Sequence, residues 1–281
     1  MKEIEGSGSV PVIYSAHHAS HKFGEFEPRV ALSYDQRVRF SDYGTAETVP
    51  VNGLRTIIAE RSRALADLNR DPDDAGRFQN KDYAQPDRHD IWLPGHGLTP
   101  EEKIFCQENF YDPYHGRIIE LLAQRSEETF VVAWDNTANY KIGTNESGTD
   151  VIMPSFILSN RGQENTFEAI NGEASSCDSA FMELLAAAFK AELSKAELPQ
   201  QVELNLVYKG GYICRRYSTS RNQAELSKFG VEGKVQSLQL EYNTDITHIQ
   251  GTLEPIDNRA EALREAFSNA IAHAISEYKM Q

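Results

Sequence analysis

The chain has 281 residues, 40% of them apolar and 25% charged, with a formal net charge of −14, which is enough to bury one sizeable α/β core. The acidic excess argues against a nucleic-acid partner, since such binding rests on clustered Lys and Arg neutralising phosphates. Cys106, Cys177 and Cys214 are far apart and form no CxxC pair, so neither a disulfide framework nor a thiolate zinc site is indicated, and no stretch approaches the roughly 18 apolar residues of a membrane span.

Residues 1–9 are polar and rich in Gly and Ser, without an apolar run behind a basic start. They are expected to form a flexible terminus ahead of a single domain, residues 10–281, in a soluble cytoplasmic protein. Residues 10–14 are a short apolar run with the pattern of a buried strand, and His17 and His18 follow its carboxyl end. Residues 22–52 are the least regular stretch. Residues 55–59 read as a second strand, and residues 78–97 as a long functional or insertion loop. A helix starts at Thr99-Pro100-Glu101-Glu102, where Thr99 caps, Pro100 takes the first helical position and Glu102 closes a capping box. Pro113 lacks an amide donor and should kink or interrupt that helix. Further strands are expected at 129–134, 152–158, 202–208 and 235–242, with amphipathic helices after Asp178 and Asn258. Strands alternating with helices predict an α/β fold, a mainly parallel or mixed sheet with helices on both faces and sites at the strand ends. No GxGxxG, GxxxxGK[ST] or GxSxG occurs, which removes the usual warrants for dinucleotide, P-loop or serine-hydrolase chemistry.

Three segments stand out: Asp67-Leu68-Asn69-Arg70-Asp71-Pro72-Asp73-Asp74, Lys209-Gly210-Gly211-Tyr212-Ile213-Cys214-Arg215-Arg216-Tyr217 and Leu238-Gln239-Leu240-Glu241. In this order and spacing the chain resembles the N-formylglutamate amidohydrolase family. The resemblance implies a fold similar to zinc carboxypeptidases and hydrolysis of a small acidic N-acyl amino acid by a bound divalent metal, zinc being the first candidate. Ser15-Ala16-His17-His18-Ala19-Ser20 is similar to the family's Ser-x-Pro-His-x-Gly, which implies His18 as a metal ligand. Asp42, in Ser41-Asp42-Tyr43-Gly44-Thr45, matches the second ligand. The family's third ligand comes from Asp-x-His-Ser, for which this chain has Asp135-Asn136-Thr137-Ala138. Neutral Asn and Thr oxygens bind zinc poorly, leaving His17, His21 or Asp135 as geometric substitutes.

Along residues 238–242, Leu238, Leu240 and Tyr242 alternate onto one face, so Gln239 and Glu241 should project from the other. The resemblance implies that Glu241 is the general base; an ion pair with Arg215 is the structural alternative. Arg215 matches the arginine of the family's Lys-Gly-Gly-x-Ile-x-Arg-His-Tyr, which implies a grip on a substrate carboxylate, with an arginine tying two loops together as the structural alternative. Arg70 is expected to hold a substrate carboxylate or to support the groups that do, with Asn69 as a polar contact and Asp67 structural. His115, in Tyr111-Asp112-Pro113-Tyr114-His115, reads as a packing residue on a helix. Three functions stay open from sequence: hydrolysis of N-formylglutamate, hydrolysis of a larger amide, and binding of an acidic metabolite or partner by a homologue that has lost turnover.

Overall fold

A computed structural model of the chain describes residues 1–82, 89–144 and 149–281. The strands are β1 (Lys2–Glu5), β2 (Val12–Ala16), β3 (Arg55–Ile58), β4 (Thr129–Thr137), β5 (Lys141–Thr144), β6 (Asp150–Ile152), β7 (Phe156–Ser159), β8 (Val202–Leu204) and β9 (Val235–Asn243). The helices are α1 (Tyr34–Phe40), α2 (Thr45–Thr48), α3 (Pro100–Cys106), α4 (Asp112–Ala123), α5 (Ser179–Lys195), α6 (Tyr212–Arg216), α7 (Thr219–Lys228) and α8 (Arg259–Lys279). Seven strands form one mixed sheet in the order β1-β3-β2-β4-β9-β7-β8, and β5 and β6 form a separate hairpin. The central strands β3, β2, β4 and β9 are parallel, while β1 and β7 run antiparallel to β3 and β9.

Period-two alternation divides the sheet between two cores. Trp134, Leu238, Leu240 and Tyr242 pack with Phe181, Leu185, Phe189 and Phe267 of α5 and α8. On the other face Val131, Ala133 and Val235 meet Tyr114, Ile118 and Leu122 of α4, Ile213 of α6 and Leu226 of α7. A satellite cluster of Phe23, Phe40, Leu65 and Trp92 anchors the irregular segments around it. The expected α/β sheet with helices on both faces is present. Among the described residues no helix is long and apolar enough to cross a membrane.

Four local expectations are corrected. The first nine residues are not wholly flexible, because Lys2–Glu5 pairs with β3 and Glu3 accepts hydrogen bonds from Arg55 and Arg117. The 152–158 run splits at Pro154, whose missing amide separates β6 from β7. The 202–208 run stops at Leu204, where Asn205 and then Val207 take positive φ of 51° and 59°. The interruption assigned to Pro113 falls one turn earlier, as a π-helical stretch over Gln107–Tyr111, and Pro113 sits harmlessly in the first turn of α4. Of the expected loop at 78–97, residues 83–88 lie outside the described residues.

Candidate metal centre and its cleft

The parallel strands deliver their carboxyl ends to one place. His17 and His18 follow β2, Asp135 lies near the end of β4, and Glu241 stands beside Asp135 in register on β9. All four are buried, with His17 fully so and Glu241 5% exposed. His18, Asp135 and Glu241 line an open cleft of about 1340 Å³, which Asp42, Asp67 and Asn69 border with them.

His18 is held on both ring nitrogens: Nε2 lies 2.8 Å from Asp67 Oδ1, while Nδ1 lies 2.9 Å from Asp42 Oδ2 and 3.2 Å from Asp135 Oδ2. Burial and the Arg63 guanidinium work against a charged ring, but Asp135 and Asp67 outweigh them and raise its pKa well above the ordinary value. His17 behaves differently. Burial is the largest influence and lowers its pKa, so the ring is neutral at pH 7. Its Nδ1 lies 3.2 Å from the Ser15 carbonyl and donates there in the tautomer that carries the proton on Nδ1. With the proton on Nδ1 the Nε2 lone pair faces Asp135 Oδ2 at 2.9 Å; with it on Nε2 the ring donates to that oxygen, and Asp135 Oδ1 has no hydrogen-bond partner among the described residues.

In the Nδ1–H tautomer a cation would fit between the two facing acceptors. One donor atom each from His17, His18 and Asp135 converges within 4.8 Å, and two imidazoles with one carboxylate are the donor set of many catalytic zinc sites. With Nε2–H donated to Asp67, His18 keeps Nδ1 as its inward-facing atom, the carboxylate–histidine arrangement that fixes a ligand ring. Asp42, expected as the second ligand, lies beside His18 but outside the converging set; its Oδ2 also accepts from Arg63 Nη1 at 3.3 Å. Burial first, then the Asp135 charge, lifts the Asp42 carboxyl to about 7, against the pull of Arg63 and His18. His21 is turned away, its ring against Tyr34.

The residues matching the family's histidine motif have other work. Asn136 donates to the Tyr43 carbonyl at 2.6 Å and to Thr45 Oγ1 at 2.9 Å, clamping the turn in which Asp42 takes a φ of 48°. Thr137 pairs with the Tyr208 hydroxyl at 3.2 Å.

Glu241 faces the cleft as the alternation predicts, and it makes no ion pair with Arg215. Burial first, then the nearby Asp135 and Asp42 charges, raises its pKa well above the ordinary carboxylate range. Gln239 fixes its orientation: Oε1 accepts from the Gly211 amide at 2.8 Å, so Nε2 is turned to Glu241 Oε1 at 2.5 Å. Gly211 allows this approach, because a Cβ there would sit 2.3 Å from the Asn69 side chain. Asn69 Oδ1 in turn accepts from the Ile213 amide at 3.0 Å, securing the start of α6. Arg70 and Arg215 both border the cleft and both carry acids already, Asp74 and Asp71 respectively.

Sequence reasoning missed Arg63, which links Asp42 and Asp67, and understated Asp67, a fully buried acceptor for His18, Arg63, Gln79 and the Asn69 amide. The i,i+4 spacing of Arg63 and Asp67 was the available signal, but it falls in an irregular segment where such spacing carries little information. His115 is buried in α4 with Nδ1 2.5 Å from the Tyr217 hydroxyl, the packing residue it was expected to be.

Imidazoles and carboxylates gathered at the parallel strand ends of a mixed sheet, beside an open cleft, define an α/β protein with a polar candidate site at those ends. The chain belongs to the N-formylglutamate amidohydrolase family, whose model matches residues 10–233. Glu241 lies beyond that stretch. Two solved structures share the fold. An N-formylglutamate amidohydrolase from Ralstonia eutropha JMP134 is 18% identical, with a TM-score of 0.69, 100% of this chain and 98% of that one being covered. A gene product from Agrobacterium tumefaciens is 17% identical, with a TM-score of 0.63 and coverage of 99% and 95%. No curated protein sequence matches the chain.

Proposed function

We propose that the protein hydrolyses the amide bond of a small N-acylated acidic amino acid, with N-formylglutamate, giving formate and glutamate, as the first substrate to test. The observation that carries this reading is the convergence of one donor atom each from His17, His18 and Asp135 within 4.8 Å, with buried Glu241 in register beside Asp135. His17, His18 and Asp135 would hold a divalent cation such as zinc, with Asp42 flanking them and Asp67 orienting His18. When bound, the cation supplies Lewis-acid polarisation of the scissile carbonyl and of water.

The chain's own groups do the rest. Glu241 Oε takes a proton from the attacking water, and its raised basicity suits it to hold that proton and hand it to the departing amine nitrogen. The Gln239 amide keeps the carboxyl aimed while it changes protonation state. Arg70 and Arg215 offer guanidinium edges to a substrate carboxylate by exchanging their present Asp partners, with Asn69 beside them.

The test is hydrolysis of N-formylglutamate by zinc-supplemented protein, with Glu241→Gln as the control. The wild type should release glutamate, and the variant should lose at least ~100-fold in kcat with its metal content unchanged. Absence of turnover in the metal-loaded wild type refutes the reading in favour of a binding protein, and turnover of longer acyl or peptidyl amides alone moves the substrate to the larger class.

A further inference from the structure

Most cations around the cleft are neutralised in place. Arg63 pairs with Asp42 and Asp67, Arg70 with Asp74, Arg215 with Asp71, and Lys141 with Asp150. Arg39 and Arg161 also border the cleft without an ion pair among the described residues; Arg39 donates to the Gly251 carbonyl at 2.8 Å, and Arg161 donates from Nη1 to the Gly210 carbonyl at 2.9 Å. Burial, followed by the nearby Arg221 and Arg215 charges, lowers the pKa of Arg161 from the usual guanidinium value. A cation so placed gains more from an incoming anion than one that already holds an acid.

Its backbone is held for the purpose. Arg161 follows β7 with a φ of 61°, a left-handed conformation uncommon for a side chain of this size. A buried pair of amides pins it there. Asn160 donates to the Phe167 and Cys177 carbonyls at 3.0 and 2.9 Å, and its Oδ1 accepts from Asn205 Nδ2 at 2.9 Å and from the Gly162 amide at 3.1 Å. Asn205 Oδ1 closes the loop on the Asn160 amide at 3.0 Å. The Arg161 amide itself donates to the Lys209 carbonyl at 2.6 Å. Lys209 likewise borders the cleft without an ion pair among the described residues.

The loop that receives Arg161 also touches the reaction centre. Gly210 accepts from Arg161, and the next residue, Gly211, donates to the Gln239 side chain that holds Glu241. An anion at Arg161 is therefore one glycine loop and one side chain removed from the base. This suits the remote end of a substrate rather than the group next to the scissile bond.

We propose that Arg161, with Lys209 beside it, binds the side-chain carboxylate of a dicarboxylic N-acyl amino acid and sets the preference for acidic over neutral side chains. This rests on the amidohydrolase reading for the identity of the ligand, but the test separates the two. N-Formyl-L-glutamate and N-formyl-L-glutamine are titrated calorimetrically into metal-loaded Glu241→Gln protein, with and without Arg161→Gln or Arg161→Lys. The Glu241→Gln protein should bind the glutamate compound at least about 10-fold more tightly, Arg161→Gln should abolish that preference, and Arg161→Lys should keep part of it. In the otherwise wild-type enzyme, Arg161→Gln should raise KM for N-formylglutamate with little change in kcat. Equal binding of the two compounds to Glu241→Gln protein, a comparison that needs no change at Arg161, overturns the proposal, as does a preference that survives Arg161→Gln. An Arg161-dependent preference without turnover in the wild type leaves the anion site standing and removes the amidohydrolase reading.

Discussion

At the scale of single residues, adjacent histidines at the end of β2 have unequal but complementary roles. His18 is oriented by Asp67 and opens onto the cleft, whereas His17 is fully buried with Nε2 facing Asp135. Sequence resemblance pointed to His18 and Asp42 because a motif marks positions, not the direction in which consecutive strand-end side chains turn. It could not show that His17 folds inward or that Arg63 holds Asp42. The expected outcome is that His17→Ala and His18→Ala both lose the bound metal. Asp67→Asn should weaken metal affinity roughly 10–100-fold, as removal of a ligand's hydrogen-bonded carboxylate does elsewhere. Elemental mass spectrometry after dialysis against a graded zinc buffer checks both. Full metal retention by His17→Ala would remove it from the ligand set.

At the scale of elements, the strands were legible where a buried core enforces periodicity and illegible where side-chain hydrogen bonds end them. Residues 129–134 and 235–242 were read within a few residues of β4 and β9, because Trp134, Leu238, Leu240 and Tyr242 must alternate to reach α5 and α8. The end of β8 at Leu204 depends on the Asn205 amide meeting Asn160, forty-five residues away, and nothing local announces it. The same holds for the glycine loop before α6. Gly211 has an ordinary φ of −85°, so its constraint is contact with Asn69 and not backbone conformation. Gly211→Ala should therefore destabilise by about 1–3 kcal/mol through overpacking. Asn69→Ala should also destabilise, by losing the bond to the Ile213 amide, and together the two changes should cost less than their sum because the truncated Asn69 makes room for the new methyl. A double-mutant cycle in urea reads the coupling; strict additivity would mean that the Gly211 loop yields on its own.

At the scale of the whole molecule, the face of the sheet bearing α4, α6 and α7 contains a buried titratable group that the proposed chemistry does not use. His115 lies 1% exposed between Tyr111 and Tyr217, with Nδ1 2.5 Å from the Tyr217 hydroxyl. Burial, reinforced by the Arg216 charge, holds its pKa well below the ordinary 6.5. Well above pH 6.5 the ring is neutral both folded and unfolded and contributes no pH dependence. As the pH falls below 6.5, the unfolded chain accepts a proton that the folded one refuses, so the unfolded state gains and stability declines until the folded pKa is reached. His115→Phe lacks this pH dependence but loses the bond to Tyr217, so it should be less stable than wild type at pH 7.5 and close part of that gap at pH 5.5. Urea unfolding of both proteins at the two pH values measures the change. The comparison cancels the other groups that titrate over the same range, provided the metal content of the two proteins is equal. A gap that stays constant would show that the folded protein protonates His115 as readily as the unfolded chain does.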